Sequence, residues 1–186
     1  HLPERRWPLI ERLVEAAIEN WKLPDRGIWE VRGEDKHFVS SKVMCWVACD
    51  RGARLARLRE AREHAERWQA HADEIKADII EHGCKNGVFT QHYETESLDA
   101  SALLIPLTRF LPADDARIKS TVLAIADELT VDGLVLRYDV GETDDGLGSD
   151  EGTFTICSFW LVSALIDIGE DRGGRVLCEK LRAAAS

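Results

Sequence analysis

The chain has 186 residues, of which 45% are hydrophobic, and a formal net charge of −10 at pH 7. This is enough for one domain with a core, or part of a larger one, and the scattered Lys and Arg side chains argue against a nucleic-acid partner. No apolar run approaches the ~20 residues of a membrane span and residues 1–6 lack a signal-peptide pattern, so we expect a cytoplasmic protein without a membrane partner.

Apolar residues recur at helical spacing along most of the chain, which predicts an all-α fold. Segment 153–168 is apolar on nearly every side, so we expect it to be buried on more than one face. Further helices are predicted at 100–111, 116–129 and 174–184. The inward positions of the clearest stripes are Leu9, Leu13, Ala17 and Trp21 with Ile10, Val14 and Ile18 beside them; Val43, Trp46 and Val47 in a helix running toward Leu58; Ala65, Trp68, Ala72, Ile75 and Ile79; and Ile118, Val122 and Ile125.

Three similar turns recur at residues 25–29, 85–89 and 131–135. Each places a glycine (Gly27, Gly87 or Gly133) between a predicted helix and a short apolar extended piece. We expect each glycine to end its helix in the left-handed conformation. Such recurrence is typical of stacked helical hairpins, each too small to bury its own apolar face.

The loops after these turns carry residues suited to sugar binding. Glu30 directly follows Trp29, and a glycosidase needs one carboxylic acid whose pKa is raised by apolar walls, which Trp29 and Ile28 could form. Taken alone, the pair is more often a core tryptophan beside a solvated carboxylate, but the three loops together shift the balance toward a sugar site. The other two loops add further polar and aromatic side chains, namely Thr90, Gln91, His92, Tyr93, Arg137 and Tyr138.

Six motifs lie in one order along nearly the whole chain: residues 27–33, His37-Phe38 with 41–44, residues 87–91, 98–101 and 132–138, and Glu151-Gly152 leading into 157–161. As a set they resemble the inverting glycoside hydrolases that include glucoamylases and the glucoamylase-like trehalases of bacteria and archaea, glycoside hydrolase family 15. The resemblance implies an (α/α)6 toroid of six helical hairpins. It also implies cleavage of a terminal α-linked glucosyl unit with inversion.

The resemblance carries roles to particular residues. It identifies Glu30 as the general acid and places Arg137 and Tyr138 in the glucose-binding subsite. Trp29 is a predicted substrate contact on separate grounds, because an aromatic face stacks against the apolar face of a pyranose ring. Fungal glucoamylases have a second glutamate directly after the acid, where this chain has Val31. Glucoamylase-type recognition of the next sugar is therefore not implied.

The general base is the open part of the assignment. Inversion needs a second carboxylate roughly 6.5–9.5 Å from the first. Glu151 fits by its position in a Gly-rich acidic loop, but the resemblance places the base in a later loop, beyond Ser186. We therefore interpret residues 1–186 as a single helical domain that is a truncated portion of the catalytic toroid, inactive alone, with Glu151 contacting substrate or shaping its loop.

Other functional residues and ligands are predicted as follows. His37 and Lys42 either contact substrate or orient the helix beginning there. The acidic loop at 139–151 does not have the spacing of a helix-loop-helix calcium site, and the five cysteines do not have that of a zinc site, so we expect reduced thiols, no metal and no cofactor.

Two alternatives remain open. A noncatalytic helical-repeat module that binds another protein would not bring Glu30, Arg137 and Tyr138 together in space. Among enzymes, trehalase, glucoamylase and isomaltose-type dextrinase are all compatible, with a mild preference for trehalose or short malto-oligosaccharides. An incomplete toroid exposes apolar helix faces, which predicts self-association.

Overall fold

The computed structural model describes residues 3–139 and 153–184. Two antiparallel two-stranded hairpins accompany the helices of this part of the chain. The elements are a 3-10 helix Glu4–Arg6, α1 Trp7–Asn20, α2 Val39–Leu58, α3 Arg62–His82, β1 Cys84–Lys85, β2 Val88–Phe89, a 3-10 helix Ala100–Leu103, α4 Leu104–Leu107, α5 Ala116–Glu128, β3 Thr130–Val131, β4 Leu134–Val135, α6 Thr155–Asp167 and α7 Asp171–Ala184.

Helices α1, α2 and α3 pack together around Gly52. A Cβ atom built on Gly52 would lie 2.6 Å from Val14 Cγ2 and 3.1 Å from Trp68 Cε3, so the small residue allows the three helices to approach closely. The stripe predicted for α3 is confirmed, because each of its five members is buried: Ala65, Trp68, Ala72, Ile75 and Ile79.

The predicted inner face of α1 is only partly right. Leu9 and Leu13 are 51% and 58% exposed, whereas Val14 is buried against the neighbouring helices. The face toward α2 and α3 is therefore centred on Val14, with Ile10 and Ile18 packed against the core. The pattern at Leu9 and Leu13 has helical spacing but does not reveal which face meets a neighbour.

The helix predicted at 100–111 is much shorter in the structure. A 3-10 turn leads into the single turn of α4, which ends at Leu107. Pro106 lacks the N–H that a continuous α-helix would donate to the carbonyl of Ala102, and Arg109 has a positive φ of 60°. The chain then turns so that Phe110 enters the core.

The later helices agree closely with their predicted positions. In α5, Ile118, Val122 and Ile125 are fully buried. Helix α6 packs against both α4 and α7, while Phe159 and Ile166 on its remaining face are 51% and 50% exposed. Self-association through this face stays a prediction.

The turn glycines do not end helices as predicted. Asn86 and Gly87 have φ of 52° and 83°, and Asp132 and Gly133 have 49° and 73°. Positive φ at both central residues is the conformation of a type I′ hairpin turn, and the strands on either side pair accordingly. At the third position Gly27 also has a positive φ, but it lies in a loop well after α1 has ended.

Candidate functional site

A buried carboxylate, Asp99, lies where three of the loops meet. It is only 1% exposed. The indole Nε1 of Trp29 donates to both carboxylate oxygens at 3.0 Å, and Gln91 Nε2 donates to Oδ2 at 3.1 Å. The backbone N–H of Ser101 donates to Oδ1 at 2.7 Å. Burial raises the pKa of Asp99, and these hydrogen bonds act in the opposite direction.

The backbone beside Asp99 holds the third loop. Asp99 and Tyr138 form an isolated antiparallel bridge, and the N–H of Ala100 donates to the carbonyl of Arg137 at 2.8 Å. The Arg137 guanidinium carbon lies 5.5 Å from the Trp29 ring centroid. Tyr138 is buried. Trp29 and the Arg137-Tyr138 pair, which come from two separate motifs, are thus brought together.

The start of α6 completes an aromatic enclosure around Trp29. Phe154 meets the Trp29 ring edge to face at 5.7 Å, and Trp160 lies at 6.1 Å. The guanidinium of Arg137 lies 5.6 Å from the Phe154 ring. The backbone N–H of Phe154 donates to the carbonyl of Val135 at 2.8 Å, which ties α6 to the second hairpin.

Glu30 follows Trp29 in an unusual backbone conformation. Its φ is 53°, a left-handed value that costs a residue with a side chain on the order of 1–3 kcal/mol and is often found at functional sites. The Glu30 side chain is exposed, and Ile28 is 46% exposed. Among the described residues, Ile28 and Trp29 therefore do not enclose the Glu30 carboxyl as expected.

Three hydrogen bonds fix the loop that carries Glu30. Asp25 Oδ1 accepts from the backbone N–H of Gly27 at 2.6 Å and from the Ser41 hydroxyl at 2.7 Å. The N–H of Val31 donates to the carbonyl of Arg26 at 3.0 Å. The loop is thereby anchored to the first turn of α2.

His37 and Lys42 line a different cavity, of about 630 Å³, between the end of α1 and α3. The His37 ring stacks on Tyr93 at 5.7 Å, and the Tyr93 hydroxyl donates to Asp78 at 2.6 Å. Burial, followed by the Asp78 hydrogen bond, raises the pKa of Tyr93. These residues do not share the contacts around Trp29.

Lys42 is almost fully buried, at 2% exposed. Its ammonium donates to the backbone carbonyls of Trp21 and Leu23, each at 2.5 Å. Burial lowers the pKa of Lys42, against the field of Asp25, which raises it. Lys42 therefore secures the chain where α1 ends. Glu151, the remaining predicted site residue, lies outside the described residues.

Asp99, Phe154 and Trp160 were not predicted as site residues, and Gln91 was named only among the polar residues of its loop. Asp99 lies in the motif at 98–101, and its further local signal is a carboxylate two residues before Ser101, which indicates a helix cap. Its partner Trp29 is 70 positions away. That contact could not be read from spacing.

Within the described ranges, no group of three or more His, Cys, Asp or Glu residues could hold a metal ion. Over the same ranges, none of the helices is both long and apolar enough to cross a membrane.

Comparison with known proteins gives consistent matches over nearly the whole chain. Residues 3–183 match the family described as glycosyl hydrolases family 15. A trehalase of Mycobacterium tuberculosis is 66% identical over 186 residues, covering 100% of this chain and 27% of that protein. A trehalase of Thermoplasma acidophilum is 37% identical over 178 residues, covering 94% of this chain and 30% of that protein.

Solved structures show a likeness of fold. A glycosidase variant in complex with glucose superposes with a TM-score of 0.74 at 22% identity, covering 87% of this chain and 42% of that one. The fold is that of stacked helical hairpins forming part of an (α/α)6 toroid, as predicted. The chain spans less than a third of the length of the curated relatives named above.

Proposed function

The chain belongs to glycosyl hydrolases family 15, and from that premise we propose that it is part of the catalytic domain of an enzyme that hydrolyses the α-glucosidic bond of trehalose with inversion, with Glu30 as general acid. The observation that carries the proposal is the packing of Arg137 against Trp29 at 5.5 Å. It brings a cationic hydrogen-bond donor from the third loop next to the residue that precedes Glu30.

Trehalose is favoured over other α-glucosides by the relatives, which are trehalases at 66% and 37% identity. The departure at Val31 agrees with this choice, because the glutamate of fungal glucoamylases is missing there. Val31 is buried, and only 7% exposed. Because its side chain is apolar, Val31 offers no side-chain polar group to a second sugar.

In the proposed reaction, the exposed Glu30 carboxyl donates its proton to the glycosidic oxygen as the bond to the anomeric carbon breaks. Water attacks that carbon from the opposite face, and a second carboxylate accepts its proton. We place this base outside residues 1–186, in the remainder of the toroid. Arg137 and Tyr138 would bind the glucosyl hydroxyls beside Trp29, and Glu151 is kept as a proposed substrate contact.

His37 and Lys42 receive separate proposals. His37 lines an open cavity and could contact a more distant part of the substrate. Lys42 already donates to the carbonyls of Trp21 and Leu23. We therefore assign Lys42 the support of the loop between α1 and α2, rather than a direct substrate contact.

A noncatalytic helical-repeat module is the competing interpretation. It gives no reason for residues from three separate loops to meet around one buried carboxylate, because repeat-protein loops vary independently. The meeting of Trp29, Gln91 and Arg137 at Asp99 therefore favours the enzyme.

The proposal is tested on the full-length enzyme by following trehalose hydrolysis with NMR. Inversion at one anomeric carbon releases one β-glucose and one α-glucose, whereas retention releases only α-glucose. Glu30→Gln should lower the rate by about 10²–10⁴-fold, the usual contribution of a general acid.

Glu60→Gln is the matched control, because Glu60 is also exposed and has a left-handed backbone with φ of 60°. It should hydrolyse trehalose as the unsubstituted enzyme does. Release of α-glucose alone would refute inversion. Hydrolysis that is unaffected by Glu30→Gln would refute Glu30 as the acid, and no hydrolysis by the unsubstituted enzyme would remove trehalose as the substrate.

A further inference from the structure

We propose that Asp99 is a positioning residue for the general acid: its carboxylate orients Trp29, and its backbone fixes the Arg137 loop, so that Glu30 and the glucose-binding groups face one another. This inference rests on the proposed function. Asp99 itself would not contact the substrate.

The side chain of Asp99 accepts from three donors, of which Gln91 and Ser101 are nearby in the chain and Trp29 is 70 positions away. The Trp29 Nε1 nitrogen lies 3.0 Å from both Asp99 carboxylate oxygens, so its N–H points between them. The second donor, Gln91, comes from the loop after the first hairpin. The third, the N–H of Ser101, is local and forms the cap of the 3-10 helix.

Gln91 extends the connection to α2. Its carbonyl accepts from the N–H of Val39 at 3.0 Å, and its own N–H donates to the carbonyl of Ser97 at 2.9 Å. Val39 is the first residue of α2, the helix whose first turn anchors the Glu30 loop through Ser41. The Glu30 loop is thus held at both its Trp29 side and its α2 side.

A carboxylate is the group best suited to this position. Its two oxygens are acceptors only, so they can take all three N–H donors. An asparagine would keep one acceptor and turn an NH2 group toward the donors of Trp29 or Gln91. An apolar residue would leave those donors buried without a partner, at a cost of about 1–3 kcal/mol for each.

The effect on catalysis passes through Trp29. Its indole is fixed at the N–H by Asp99 and on its ring by Phe154, Trp160 and Arg137. Glu30 is the next residue, and its left-handed backbone depends on the conformation before it. A displacement of about 1 Å in a catalytic group can cost roughly 10²-fold in rate.

The test compares two substrates in the full-length enzyme. Trehalose requires protonation of its leaving oxygen, whereas fluoride leaves α-glucosyl fluoride without a proton from a general acid. Asp99→Asn should therefore lower kcat on trehalose by about 10²-fold while turnover of α-glucosyl fluoride stays close to that of the unsubstituted enzyme. Asp115→Asn is the matched control, because Asp115 caps α5 through the N–H of Arg117 with the same two-residue spacing but lies outside this network.

Glu30→Gln separates this inference from the proposed function. Suppose that Glu30→Gln lowers the turnover of trehalose selectively and that Asp99→Asn lowers the turnover of neither substrate. In that case the positioning role is wrong and the acid assignment stands. If Glu30→Gln shows no selective loss, the acid assignment fails and the inference fails with it. An equal loss on both substrates by Asp99→Asn would indicate general damage to the fold and would contradict a positioning role.

A spectroscopic measurement decides the case in which Asp99→Asn folds poorly. Trp29→Phe removes the N–H donor but keeps an aromatic ring, and it identifies the Trp29 indole N–H signal by its disappearance. In the unsubstituted enzyme that proton should exchange slowly with solvent, as expected for a buried hydrogen bond to a carboxylate. Fast exchange would overturn the proposed contact.

Discussion

The layer formed by α1, α2 and α3 and the contacts around Asp99 are both buried, but different interactions stabilise them. In the helical layer, aliphatic and aromatic side chains such as Ile75, Ile79 and Trp68 fill the interior, and charged pairs lie at its edge. Around Asp99, the buried groups are polar and come from loops. Apolar packing depends on volume, whereas a shared carboxylate depends on the identity of each donor and acceptor. The helical layer should tolerate changes that keep volume, and the Asp99 contacts should not.

The largest expected effect is in the helical layer. Trp68 is fully buried, lies 5.6 Å from Trp7 and donates its indole N–H to Glu15 at 2.9 Å. Trp68→Ala should lower the free energy of unfolding by about 3–5 kcal/mol because it leaves a large cavity. Chemical denaturation would measure this. Leu58→Ala, at a position of α2 that is 82% exposed, should change stability by less than about 0.5 kcal/mol; similar effects of the two substitutions would contradict the assigned core.

An intermediate effect compares two changes that preserve volume. Asp99→Asn should destabilise the protein by about 1–3 kcal/mol, because donors of Trp29 or Gln91 lose their acceptor. Ile79→Leu, in the helical layer, should cost less than about 1.5 kcal/mol because the core can repack. Denaturant midpoints of the two variants would provide the comparison. A larger loss for Ile79→Leu would show that the Asp99 contacts are not the more specific of the two regions.

The smallest effect concerns the edge of the helical layer. Arg67 pairs with Glu15 and holds the pKa of that carboxyl below its ordinary value of 4.5. A lowered pKa in the folded state stabilises the protein above the unfolded pKa, and this contribution is lost as pH falls through the folded pKa. Glu15→Gln should therefore cost about 1 kcal/mol at pH 7, a modest value because the pair is partly exposed.

The pH dependence of that difference is the informative measurement. The two proteins should approach equal stability as the solution is acidified below pH 4.5. Glu19→Gln, at an exposed position of the same helix, is the control. A Glu15→Gln effect that persists unchanged in acid would show that the pair contributes through packing rather than charge.

Local patterns were sufficient for most helices but not for the ends and faces of all of them. The stripe from Ala65 to Ile79 repeats over five positions, so its buried face followed directly from spacing. The stripe of α1 was short and had apolar residues on two sides, and the structure buries Val14 rather than Leu9. At 100–111, Pro106 was a visible signal against one continuous α-helix, and the structure has a 3-10 turn followed by the short α4.

The sequence by itself determined the helical class, the family resemblance, and Trp29, Arg137 and Tyr138 as a related set, because these follow from periodicity and from motifs that are local in the chain. The Asn86-Gly87 and Asp132-Gly133 turns carried a local hairpin signal, which the prediction of helix ends overlooked. Only the tertiary structure decided that Lys42 binds backbone carbonyls and that Asp99 joins three loops. Those outcomes depend on which distant groups meet. The hydrogen bond from Trp29 to Asp99 crosses 70 positions, and no spacing rule reaches that far.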